Sequence, residues 1–124
     1  MTIERRKDSR FLTKENSFAA LRNDVMKVGK INDISLSGLG FSFLSGFNQA
    51  DSTDHHTQVD IFYSKNGLHL HKLPCRIVYE NPDASPDEGF LVRMSRCGLK
   101  FEELTRSQSE QLKLFMEKYT TGVF

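Results

Sequence analysis

Asp33, Ser35 and Ser37, closed by Gly38, bring one carboxylate and two hydroxyls into a single short stretch, Asn32-Asp33-Ile34-Ser35-Leu36-Ser37-Gly38. Such a group suits a small polar ligand. The same Asp-x-Ser-x-x-Gly string also suits an Asx-type turn whose side chains bond their own backbone, with Gly38 supplying a positive φ. A second set lies upstream, where Arg5, Arg6, Lys7 and Arg10 cluster. Arginine's planar fork matches phosphate oxygens in pairs, so this set suits an anionic ligand, although taken alone it reads equally as a solvated basic arm.

Other chemistries are poorly supported. No histidine is placed to activate Ser35 or Ser37, and a strand-to-helix nucleophile elbow is absent, so no catalytic residue and no enzymatic activity are expected. His55 and His56, with His69 and His71 at i, i+2 on one strand face, invite a metal reading. No Cys or carboxylate completes a set at usual spacing, so no metal site is expected. Cys75 and Cys97 sit in apolar, strand-like contexts and read as buried free thiols.

The elements that position these groups are mostly strands. Residues 1–12 are read as a flexible arm carrying the arginines, and 13–124 as one β domain. Phe18 and Ala20 against Val25 to Gly29 read as a hairpin around Arg22-Asn23-Asp24. Val28 to Ile34 leads into the Asp33 stretch, and Leu39, Phe41 and Phe43 alternate with Gly40 and Ser42 beyond it. Residues 45–57 are loop-like. Val59 to Tyr63 pairs with the run from Leu68 through an Asn66-Gly67 turn, while Pro74 suggests an edge or a bulge. Cys75, Ile77 and Tyr79 share one face against Arg76, Val78 and Glu80. After a Pro-containing loop over 81–89, Phe90 to Met94 and Cys97 to Glu102 finish the strands. Leu112, Phe115, Met116 and Tyr119 then mark one helical stripe over about 105–120, with Thr105 and Gln108 at capping-box spacing and Gly122 as its C-terminal cap. Many short strands and one helix make a small, mainly β barrel with the helix packed on it.

The 124 residues suffice for one domain with its own core. Lys plus Arg number 17 against 16 for Asp plus Glu, which argues against a general DNA or RNA coat. No apolar run has the length of a membrane span, and Met1-Thr2-Ile3-Glu4 lacks a signal-peptide core; a cytoplasmic location is expected.

Arg6-x-x-x-Arg10 followed by Asp33-x-Ser35-x-x-Gly38 resembles the PilZ domain family, whose two signatures are Arg-x-x-x-Arg and Asp/Asn-x-Ser-x-x-Gly in that order. Glu4-Arg5-Arg6, Leu39-Gly40-Phe41 and Cys97-Gly98-Leu99-Lys100-Phe101 fit as flanks, so the resemblance covers almost the whole chain. It implies a six-stranded antiparallel barrel of split-barrel type with a C-terminal helix. It further implies a bacterial receptor for the second messenger cyclic di-GMP, with no other cofactor, that signals through an unidentified protein partner in motility, pili, secretion or exopolysaccharide synthesis. Arg5, Arg6, Arg10, Asp33, Ser35 and Gly38 would form the ligand site. Arginine suits both the phosphates and the O6/N7 edge of guanine, and Asp33 can accept from guanine N1–H and its amine, as adenine does not allow. Family members take one ligand or a stacked pair, and the residue before the arginine pair is associated with that choice; the basic Arg5 here implies two. Arg93 and Arg96 read as strand-face charges within reach of such a ligand. The alternative is an adaptor that keeps the barrel and binds protein but no nucleotide, a kind that usually lacks the arginines this chain retains.

Overall fold

The structure, a computed structural model, describes residues 9–22, 27–46, 56–65, 67–82 and 92–123. Eight strands and one helix follow in the order β1 (Phe11–Thr13), β2 (Ser17–Arg22), β3 (Lys27–Ile34), β4 (Gly38–Gly46), β5 (His56–Tyr63), β6 (Leu68–Pro82), β7 (Val92–Phe101), α1 (Arg106–Tyr119) and β8 (Thr120–Val123). Neighbours run β2-β5-β6-β7-β4-β3, and β3 pairs back onto β2, so six antiparallel strands close into a barrel. Closure leaves these strands no free edge to satisfy. The expected barrel and helix are therefore both present.

Alternation builds the core. Phe41 and Phe43 from β4, Ile31 and Ile34 from β3, Ile61 from β5, Leu70 and Leu73 from β6 and Leu99 from β7 all point inward and are buried. Burial at this scale is the main favourable term in the fold. The helix adds Leu112 and Phe115 to the same cluster, and Tyr119 stacks on Tyr63 with ring centroids 4.2 Å apart. Its start is the expected capping box: the Thr105 hydroxyl accepts from Gln108 N–H, and the Gln108 side chain accepts from Thr105 N–H.

Its end differs from expectation. Rather than closing on a Gly122 cap, the chain turns extended at Thr120 and becomes β8, which pairs with β1. β1 in turn pairs with the far half of β3, Phe11 opposite Ile34 and Leu12 opposite Asp33. Phe11 and Leu12 are thus strand residues, and Arg10 stands immediately before them. Asn16, with φ of 73°, makes the corner from β1 to β2, a conformation Asn tolerates well.

Among the described residues, three bulges interrupt the ladders of the six barrel strands, and a fourth irregularity lies between Leu12 and Thr13 where β1 meets β8. One lies between Ile31 and Asp33 on β3, one opposite Asp60 where His71 and Lys72 intervene between Leu70 and Leu73, and one between Ile77 and Tyr79. Each inserted residue changes which face the following side chains occupy. The expected edge or bulge at Pro74 resolves accordingly: Pro74 lies inside the sheet opposite Gln58, its carbonyl accepts from Glu102 N–H at 2.8 Å, and the bulge sits two residues earlier, at Lys72 with φ of 51°. Tyr79 likewise leaves the face of Cys75 and Ile77 and turns outward. Glu80 goes inward instead, 2.5 Å from Lys27 Nζ, with both side chains over nine-tenths buried. Cys75 and Cys97 are buried free thiols, as expected, and burial pushes both up to about 12, which keeps them protonated and unreactive near neutral pH.

Candidate functional site

The β3 bulge decides where Asp33 points. By inserting Asn32 it lets Ile31 and Ile34 both stay inside while Asn32 and Asp33 face outward. The Asn32 amide donates to Ser42 Oγ at 2.8 Å. The Asp33 carboxylate lies against Gly40, where an added Cβ would come within 3.3 Å of Oδ2. Arg10 Nη1 is 3.8 Å from Asp33 Oδ1, an ion pair longer than a hydrogen bond. Arg10 of the first motif thus meets Asp33 of the second.

Ser35 plays a different part in the same stretch. It is buried, its hydroxyl accepts from Ser37 N–H at 3.1 Å and Gly38 N–H at 3.2 Å, and it lies 3.0 Å from Ser37 Oγ. Ser35 N–H donates to the Gly38 carbonyl at 2.8 Å. The hydroxyl therefore pins the turn that carries β3 into β4.

Gly38 is needed for a reason other than the one expected. Its φ is not positive; among the described glycines only Gly67 has one. Gly38 pairs with Lys100 on β7, and a Cβ there would fall 2.1 Å from the Leu99 carbonyl oxygen. Close approach of two backbones, not turn geometry, excludes a side chain.

Arg10, Asp33, Ser35, Ser37, Gly38, Gly40, Val78, Tyr79, Gly98 and Lys100 are among the residues that line one open cleft of about 220 Å³. Its floor is glycine. The Tyr79 ring lies directly over Gly98, whose added Cβ would meet Cε1 at 2.1 Å, and its hydroxyl reaches toward Gly40. The bulge after Ile77 puts the ring there, so alternation alone assigned it to the wrong face. Val78, Tyr79, Gly98 and Lys100 are cleft residues that sequence reasoning missed, and Tyr79 and Lys100 carry the chemistry among them. Lys100 was visible only as part of the Cys97–Phe101 run, with nothing to tie it to Asp33 before the β4–β7 pairing was known. Arg96 pairs with Ser42 farther along β7 and does not line the cleft, while the side chain of Arg93 lies outside the described residues, as do Arg5 and Arg6.

Asp60, His69 and His71 form a second polar group, on the outer face of β5 and β6. The expectation that no carboxylate accompanies the histidines does not hold, because the strands, not the local spacing, deliver Asp60. Asp60 is buried. Burial alone would raise its carboxyl, but Arg22, Lys72 N–H and His69 all donate to it and bring it down from 3.8 to about 2.

The pattern of the PilZ domain matches residues 4–118. The chain belongs to the PilZ domain family. Among solved structures it is similar to the PilZ domain with c-di-GMP of YcgR from Escherichia coli, with a TM-score of 0.68 and 15% identity over 89% of this chain and 87% of that one. YcgR in complex with c-di-GMP gives a TM-score of 0.69 at 14% identity, covering 93% of this chain and 46% of that one. The MrkH–c-di-GMP complex of K. pneumonia gives 0.69 at 13%, covering 94% and 52% respectively. This PilZ chain thus spans about half the length of the latter two proteins. No curated protein matches it in sequence. Among the described residues no helix is long and apolar enough to cross a membrane.

Proposed function

We propose that this PilZ protein is a cyclic di-GMP receptor whose ligand sits in the cleft beside Tyr79, held by Arg10 and the arm arginines and read by Asp33. The observation that carries the reading is the Arg10–Asp33 pair at the rim of a glycine-floored cleft with an aromatic wall. Each half of that pair answers one part of the ligand. Arg10 offsets phosphate charge and can fork onto a guanine edge. Asp33 accepts from guanine N1–H and the exocyclic amine. The pair at 3.8 Å is long enough to open without breaking a hydrogen bond between the two. Tyr79 offers a half-exposed ring for a base to stack on, and Gly98 gives that ring room to lie against the sheet.

Ser35 and Gly38 act from below, by holding the turn and the β4–β7 approach that present Asp33. A cleft of about 220 Å³ cannot enclose a dinucleotide, since ligand-enclosing pockets run from about 300 Å³ upward. Arg5 and Arg6 supply the remaining cover and charge as the arm orders over the ligand. The protein then acts in the cytoplasm as a sensor rather than an enzyme, and passes the changed arm surface to a protein partner, not to DNA or RNA. Titration of the purified protein with cyclic di-GMP, GTP and cyclic di-AMP side by side tests this. Saturable binding of cyclic di-GMP alone supports it, and no binding of cyclic di-GMP overturns it in favour of a nucleotide-free adaptor.

A further inference from the structure

We propose that Asp60, His69 and His71 form a surface site for a borderline transition-metal ion of the zinc class, separate from the Arg10–Asp33 cleft. Their ligand atoms all lie within 4.8 Å of one another. His69 Nε2 and Asp60 Oδ2 are 3.2 Å apart. Two ligands bound to one zinc ion at about 2.0–2.2 Å and a tetrahedral angle are themselves about 3.4 Å apart, so an ion can replace the proton between them with little movement. The His71 ring already packs on His69, centroids 3.7 Å apart, and is exposed, so rotation brings a ring nitrogen to the third position.

The fold builds this arrangement rather than leaving it to chance. The bulge at Lys72 sets the phase of His69 and His71 against β5, and the Lys72 N–H donates to Asp60 Oδ1 at 2.8 Å. Arg22 adds two bonds to the same carboxylate, at 3.0 and 2.8 Å. A buried carboxylate fixed by three donors, only one of which an ion must displace, is pre-organised as a ligand, with Arg22 and Lys72 orienting it from behind. Two imidazoles and one carboxylate suit zinc, nickel or copper, not magnesium or calcium. The Arg22 charge opposes the ion, so binding is moderate and a water completes the coordination.

The test uses untagged full-length protein, stripped with a chelator and titrated with zinc chloride by calorimetry at neutral pH. One ion per chain is expected, with affinity falling by about tenfold or more in His71→Ala and in His69→Ala. His71 is exposed and outside the core, so His71→Ala keeps the fold even if changes nearer Asp60 do not. His56→Gln, at a histidine elsewhere on β5, should bind zinc as the parent does. Absence of zinc binding, an undiminished affinity in His71→Ala, or an equal loss in His56→Gln each overturns the proposal.

Discussion

Replacing Gly98 with alanine should disable ligand binding while leaving the barrel folded. An alanine Cβ would lie 2.1, 2.6 and 2.7 Å from Cε1, Cδ1 and Cζ of Tyr79. Carbon atoms rest at about 3.5–4.0 Å, so the ring must move away by roughly 1.4 Å or more. It can do so, because Tyr79 is 39% exposed on the outer face and takes no part in the buried cluster. The melting temperature should therefore change by only a few degrees. Stacking of a base on an aromatic ring is worth about 1–3 kcal/mol, so affinity for cyclic di-GMP should fall roughly five- to a hundred-fold. Calorimetry on Gly98→Ala, Tyr79→Ala and the double variant separates the causes. If the loss runs through the ring, the double variant binds no worse than Tyr79→Ala. Unchanged affinity in a folded Gly98→Ala would refute the stacking role.

Lys27→Met should destabilise the barrel by about 3–5 kcal/mol in chemical denaturation, because it strands the buried Glu80 carboxylate, and a compensating Glu80→Leu in the same chain should restore most of that loss. Acid stability should depend on Asp60: a carboxyl held at about 2 against 3.8 when unfolded contributes about 2 kcal/mol above pH 4, lost as pH falls through that range. Arg22→Gln removes a main cause of that depression, so urea melts at pH 6 and pH 3 (roughly above the transition and midway through it) should differ less in the variant than in the parent. Arg5→Leu should lower the molar ratio of bound cyclic di-GMP from two to one, because a second ligand brings two more phosphate charges that need a further cation; a parent ratio of one at saturation would contradict this.

Side-chain period carried most of the fold. Leu39, Phe41 and Phe43 announce β4, Thr105 and Gln108 announce the helix start, and Leu112 and Phe115 announce its buried stripe. The two halves of the cleft were legible too, as Arg10 and Asp33, because the two motifs that carry them together resemble the signatures of the PilZ family. What stayed hidden depends on single inserted residues. The bulge after Ile77 sends Tyr79 out and Glu80 in, and the bulge at Lys72 joins two histidines to Asp60 from another strand. Both outcomes depend on register between strands, which a strand's own sequence does not record. Gly38 was noticed but misjudged for the same reason, since its neighbour is the Leu99 carbonyl across the sheet and not a residue of its own turn. β8 escaped notice because four residues carry too little pattern to compete with a helix cap at Gly122.

The most direct test of the central claim is a calorimetric titration of cyclic di-GMP into the parent protein, Arg10→Ala and Asp33→Ala, with cyclic di-AMP as the competitor. Charge-assisted hydrogen bonds are worth about 1.5–3 kcal/mol each, so each variant should lose affinity by about tenfold or more while melting close to the parent. Asp33→Ala should also lose part of its preference for guanine over adenine. Parent-like affinity and parent-like selectivity in both folded variants would contradict the account, because the Arg10–Asp33 pair would then be a surface ion pair with no ligand to read.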